Sequence, residues 1–133
     1  MVKNIVLFIM SLYRDDSVEK EYTDDSNLFK ANCKHTNETA LKYIAWKLNQ
    51  EQQQIDEIYA FISEQVRETS LDKFKELIQD EYYKDKIIDV PLYNNGEMKG
   101  SFKSISEMFD KLQAYKEKNP DDTVVIHVDM TGG

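Results

Sequence analysis

The side chains able to do chemistry are few, and most lie in two stretches, around residues 11–13 with 33–38, and at 129–133. Cys33 and His35 are two positions apart. A cysteine nucleophile needs thiol and base to converge beside a substrate, and closeness in a loop gives thin support for that. His35 precedes a helical segment and reads as a solvated loop histidine, against the alternative of a phosphate or ribose contact. His127 stands among apolar residues and reads as facing the core or a helix. Neither histidine has a second histidine, cysteine or carboxylate at zinc-like spacing, so no metal site is expected. Trp46 lies beside a helical apolar stripe, where packing or an interface explains it better than base stacking.

The stretch Asp129-Met130-Thr131-Gly132-Gly133 follows an apolar run. Paired glycines there let the backbone come within ~3 Å of a phosphate or sugar oxygen with its N–H groups exposed, and Thr131 adds a hydroxyl donor. Asp129 either accepts from a ribose hydroxyl or fixes the turn through the amides of Thr131 and Gly132, the second reading being favoured for an aspartate at a strand end. Ser11, Leu12 and Tyr13 follow the first apolar run and present two hydroxyls. The amides of Thr36, Asn37 and Glu38 open a helix whose positive end favours anions.

Four apolar runs predict strands over residues 4–12, 55–62, 86–93 and 123–129. The first and last do not alternate polar with apolar, which predicts a parallel sheet covered on both faces. Three stripes of helical period lie between them: Ala40, Leu41, Ile44, Ala45 and Leu48; Leu71, Phe74, Leu77 and Ile78; Ile105, Met108, Phe109 and Leu112. Thr36 or Asn37 can cap the first helix and Thr69 or Ser70 the second. Ser104 with Glu107 matches a capping box in the third, which begins near Ser101. Asn94-Asn95-Gly96 marks a turn, and Asn119-Pro120 stops the third helix.

The order βαβαβαβ with right-handed crossovers predicts an α/β, doubly wound, Rossmann-like parallel sheet with strand order 3-2-1-4 and three helices. The order reverses between the first and fourth strands, and ligands of such sheets bind beyond the strands' carboxyl ends at that point. Residues 11–14 and 129–133 meet there. The connection between Tyr13 and His35 is much longer than the ~2–6 residues usual for such a loop. It reads equally as a lid or ligand-contacting hairpin and as a disordered excursion, with Asp15, Asp16, Asp24 and Asp25 forming a solvated face.

At 133 residues the chain is one domain, residues 1–133, able to bury ~two-thirds of its unfolded surface. The longest apolar run is too short to span a bilayer, so no membrane association is expected. The single cysteine fits a reducing cytoplasm. With 25 acidic against 17 basic residues and a net charge of −8, no track for duplex nucleic acid is expected, whereas a small anionic ligand held by backbone amides remains compatible.

Several pieces together resemble the N-terminal ligand-sensing domain of CRISPR-associated Rossmann-fold (CARF) proteins, accessory effectors of type III CRISPR systems. They are Lys3-Asn4-Ile5-Val6-Leu7-Phe8 with Ser11 behind it, Thr36-Asn37-Glu38-Thr39-Ala40-Leu41, Ile55-Asp56-Glu57-Ile58-Tyr59-Ala60-Phe61, and Ile126-His127-Val128-Asp129-Met130-Thr131-Gly132-Gly133. The resemblance spans essentially the whole chain, and Asp-x-Thr-Gly-Gly is its most specific part. It implies a two-fold homodimer that binds a cyclic oligoadenylate, tetra-adenylate rather than hexa-adenylate, across the ends of strands one and four. The implied contacts are Ser11, Leu12, Tyr13, Thr36, Asn37, Asp129, Met130, Thr131, Gly132 and Gly133, with no cofactor. The family's motif continues into a basic residue a few positions on, so the chain reads as the first part of a larger protein whose effector domain follows. An exposed fourth strand then calls for a covering partner.

Three functions follow. The first is a sensor that relays ligand occupancy to an effector domain. The second is a ring nuclease, which would set a ribose 2′-hydroxyl in line with the adjacent phosphorus without a metal. The third, an unrelated nucleotide enzyme of similar fold, is weakened by the lack of Gly-x-Gly-x-x-Gly and Gly-Lys-Ser/Thr after the first strand.

Overall fold

The computed structural model describes residues 1–13, 18–91 and 98–129. Its order is β1 (Val2–Ile9), β2 (Lys20–Thr23), β3 (Lys30–Cys33), α1 (Thr36–Gln50), β4 (Glu57–Ile62), α2 (Glu64–Thr69), α3 (Leu71–Leu77), a 3₁₀ turn (Tyr82–Lys86), β5 (Ile87–Pro91), α4 (Met98–Lys118) and β6 (Thr123–Asp129). The strands β5-β4-β1-β6 form one parallel sheet, which is the expected 3-2-1-4 order. The fold is α/β and Rossmann-like. Among the described residues no helix is long and apolar enough to cross a membrane.

Why β1 lacks polar alternation is visible in the packing. Val6, Phe8 and Met10 point into a core shared with Leu41 and Leu48 of α1, Val66 of α2 and Leu71 and Phe74 of α3. On the opposite face Ile5 joins Tyr59, Val90, Met108 and Leu112 under α4. Both faces are therefore dry at β1, where Ile5 and Val6 are fully buried. At the outer edge, β6 keeps Ile126 and Val128 40% and 57% exposed.

The expectation of three helices is corrected to four. Glu64–Thr69 forms a separate short helix, with Ser63 as its N-cap accepting from the Val66 amide. The first helix is capped by His35, not by Thr36 or Asn37: the ring Nδ1 accepts from the Asn37 amide at 3.1 Å. Helix α4 starts at Met98, earlier than Ser101. Strand β1 ends at Ile9, short of Leu12: the Met10 amide still donates to the Phe61 carbonyl, but those of Ser11 and Tyr13 turn to the side chains of Asn37 and Ser70. Strand β4 likewise begins at Glu57 and not at Ile55, whose amide donates to the Tyr82 hydroxyl.

The connection between β1 and α1 contains a hairpin. Strands β2 and β3 pair antiparallel around a turn in which the Asp24 carboxylate accepts from the Ser26 hydroxyl and the Leu28 and Phe29 amides. Those bonds, the Ser26 one foremost, hold the Asp24 carboxyl below its usual pKa. Phe29 anchors the hairpin to α1 through Tyr43 and Trp46, with ring centroids 5.4 and 5.6 Å away. For the described part, residues 18–34, the disordered reading is thus replaced by an ordered hairpin. Arg14, Asp15, Asp16 and the expected turn at 94–96 lie outside the described residues.

Candidate functional site at the carboxyl ends of β1 and β6

The chain leaves β1 beside the first turn of α1, and Asn37 joins the two. Asn37 is fully buried, and its Oδ1 accepts from the Ser11 amide at 3.0 Å. Its Nδ2 donates to Asp129 Oδ2 at 2.8 Å and, more weakly, to the Ile9 carbonyl at 3.4 Å. One carboxamide therefore ties the ends of β1 and β6 to the helix that follows β1. A carboxamide carries both an acceptor and a donor, and this position uses both.

His35 completes the clasp from the other side. Since Nδ1 accepts from the Asn37 amide, the proton sits on Nε2, which donates to the Ser11 carbonyl at 2.9 Å. The ring is buried against Phe74 and lies parallel to Tyr13 at 6.4 Å, within 8°. Burial holds its pKa below the ordinary histidine value, partly opposed by the bond to Ser11. The solvated reading of His35 is thereby corrected: it is a packed, neutral, structural ring.

Tyr13 is fixed further by its amide, which donates to the Ser70 hydroxyl at 2.8 Å. Ser70 is the N-cap residue of α3, yet its side chain makes no cap bond because that oxygen faces the loop after β1. The Lys73 ammonium stands 5.4 Å from the centre of the Tyr13 ring. Sequence reading found neither Ser70's role here nor Lys73, since nothing local to α3 announces the loop it meets.

The surface of this end consists of Ser11, Leu12, Tyr13 and Thr36. The Thr36 hydroxyl lies 3.5 Å from that of Ser11, forming a pair of small donors at the rim. Leu12 is exposed. The expected amide donors at the start of α1 are fewer than the sequence suggested, because the Asn37 amide is spent on His35. Glu38, also buried, accepts from the Lys34 amide at 2.8 Å and pairs with Lys42 at 2.9 Å. Its carboxylate already supplies a negative charge to the first turn. Of the ten expected contacts, Ser11, Leu12, Tyr13, Thr36, Asn37 and Asp129 meet at this end. Asn37 and Asp129 act on each other within the protein. Met130, Thr131, Gly132 and Gly133 lie outside the described residues.

Beneath Asp129 a groove of about 570 Å³ runs between α1 and β6, floored by His127 and Val128 and walled by Tyr43, Ile44 and Lys47. His127 is half-buried, and its Nε2 lies 3.1 Å from Asn4 Oδ1. Burial, with Lys47 nearby, lowers its pKa. Cys33 is buried, and burial pushes its thiol pKa up, away from the reactive thiolate. Trp46 packs against Phe29 and Tyr43. Among the described residues no three histidine, cysteine or carboxylate side chains converge as metal ligands.

Comparison of the chain with protein-family models, with curated proteins and with solved structures finds no match.

Proposed function

We propose that the chain is a cyclic oligoadenylate sensor, binding its ligand at the carboxyl ends of β1 and β6 and passing occupancy to an effector in the cytoplasm. The observation that carries this reading is the Asn37 clasp. It brings the end of β1, the end of β6 and the start of α1 together where the strand order reverses, the usual ligand position in such sheets. The Ser11 and Thr36 hydroxyls offer donors to ribose or phosphate oxygens, and the Tyr13 ring with Lys73 beside it offers a face and a charge. The reading includes a two-fold homodimer, in keeping with the apolar exposure of Ile126 and Val128.

Calorimetric titration with cyclic tetra-adenylate, cyclic hexa-adenylate and linear tetra-adenylate tests the proposal. Saturable heat with a cyclic form, tetra-adenylate before hexa-adenylate, and little with the linear one is the expected outcome. Absence of heat with both cyclic forms, at protein concentrations where light scattering shows a dimer, contradicts it. Chromatography of the recovered ligand separates a sensor, which returns the intact ring, from a ring nuclease, which returns linear product.

A further inference from the structure

The opposite end of α1 lines a second, larger groove, and its chemistry is different. The groove measures about 770 Å³, within the ~300–1,000 Å³ range of small-molecule sites. One wall is the start of β3, the other the C-terminal half of α1 with the segment after it. Two aromatic side chains contribute, and both are held in place. Trp46 packs on Phe29 and Tyr43. The Tyr82 hydroxyl accepts from the Ile55 amide at 2.8 Å, while Tyr82 remains 48% exposed.

Between the aromatics stand carboxamides. Gln53 is engaged, its Oε1 accepting from Asn4 at 3.0 Å. Asn49, Gln52 and Gln54 are exposed groove residues whose side chains make no protein hydrogen bond among the described residues. Gln52 occupies an unfavourable place for a side chain. The Gln53 amide donates to the Leu48 carbonyl at 2.9 Å and the Gln52 amide to Asn49 at 3.1 Å, the pairing of a Schellman helix end. Its left-handed position falls on Gln52, with φ 60°, where glycine is the usual occupant. A glutamine kept there at a backbone cost directs attention to what its side chain does.

Charge selects the ligand class. Lys42 is paired with Glu38, and the other charges of the lining, Lys30 and Glu81, are one of each sign. A charge-balanced groove gives no net attraction to a phosphorylated ligand. Uncharged carboxamides, each both donor and acceptor, beside amphipathic aromatic faces suit vicinal hydroxyls and the C–H face of a sugar ring. We propose that this groove binds a neutral saccharide, with Trp46 and Tyr82 as the apolar contacts and Asn49, Gln52 and Gln54 as the hydroxyl readers. This proposal does not rest on the nucleotide reading, which concerns the other end of α1.

Trp46 is the chain's only tryptophan, so its emission reports occupancy of the groove without a label. Maltotriose, cellotriose and N-acetylated chitotriose are titrated in turn, with adenosine monophosphate as the charged comparison. The proposal expects a saturable emission change with at least one trisaccharide and none with the nucleotide at equal concentration. Gln52→Gly relieves the left-handed position and Asn49→Ala raises helix propensity, so neither should lower the thermal midpoint. Each should weaken the responsive trisaccharide at least fivefold. A flat response to all three sugars, a saturable Trp46 emission change with the nucleotide, or wild-type affinity in both variants would overturn it.

Discussion

Asn37 Nδ2 lies 2.8 Å from Asp129 Oδ2, a contact between residues 92 positions apart that fastens the start of α1 to the end of β6. The same side chain holds the Ser11 amide through its other atom. Removing a carboxamide that bonds to both strand ends takes a hydrogen bond from each of them. Asn37→Ala is therefore predicted to cost about 2–4 kcal/mol, read from urea unfolding. Asn37→Asp should differ in its pH dependence. Two facing carboxylates raise the pKa of one above its unfolded value, so that variant should gain stability relative to the wild type as the pH falls from 7 to 5.

His35 makes a second pH prediction with its own sign. Its folded pKa is depressed, first by burial, below the ordinary value of 6.5. Its stabilising contribution is then complete above about pH 6.5 and is lost as the pH falls below that toward the folded pKa. His127, depressed for the same first reason, adds in the same direction. Unfolding free energy measured between pH 7.5 and 5.5 should fall with a slope contribution of at most about 1.4 kcal/mol per pH unit per histidine. His35→Gln should show a shallower slope than the wild type. An unchanged slope would count against the buried neutral ring.

Ser70→Ala isolates the contact between α3 and the loop after β1. The hydroxyl accepts from the Tyr13 amide and makes no cap bond to its own helix. A loss of about 1–2 kcal/mol is predicted, with faster hydrogen exchange at Tyr13 and unchanged exchange within α3. Faster exchange spread along α3 would show that the hydroxyl acts as a helix cap instead.

The central place of β1 was legible because its apolar run is buried on both faces, whereas the apolar run of β6 misled: it lies at the edge of the sheet with Ile126 and Val128 exposed, so the covering expected for the last strand is not met within the described residues. The hairpin was less legible. Lys20–Thr23 and Lys30–Cys33 are four residues each, rich in polar side chains, and hold together through the Asp24 turn and the distant ring contacts of Phe29. Helix α2 was missed because only Val66 of its six residues is buried, too little for a periodic stripe. At the site, residues 11–13 and Asp129 were placed from strand order, and Thr36 and Asn37 from the helix start that follows. The role of His35 was not, because its burial comes from Tyr13, Ser11 and Phe74, none of which is local to it.

The hairpin anchor gives a further check. Phe29 is buried against Tyr43 and Trp46. Phe29→Ala should cost about 3–5 kcal/mol if that packing is as close as in a core, and it should red-shift Trp46 emission as water reaches the indole. A stability loss under about 1 kcal/mol with unchanged emission would mean that the hairpin is held by other contacts.

The central claim is that a cyclic oligoadenylate sits at the clasped ends of β1 and β6. Amide chemical-shift mapping of the chain with cyclic tetra-adenylate tests it most directly, because it reads position as well as binding. The largest shifts are predicted at Ser11, Leu12, Tyr13 and Thr36, with Gln52 to Gln54 at the far end of α1 unmoved. No saturable shifts, or shifts confined to Gln52–Gln54 and the groove around Trp46, would contradict it.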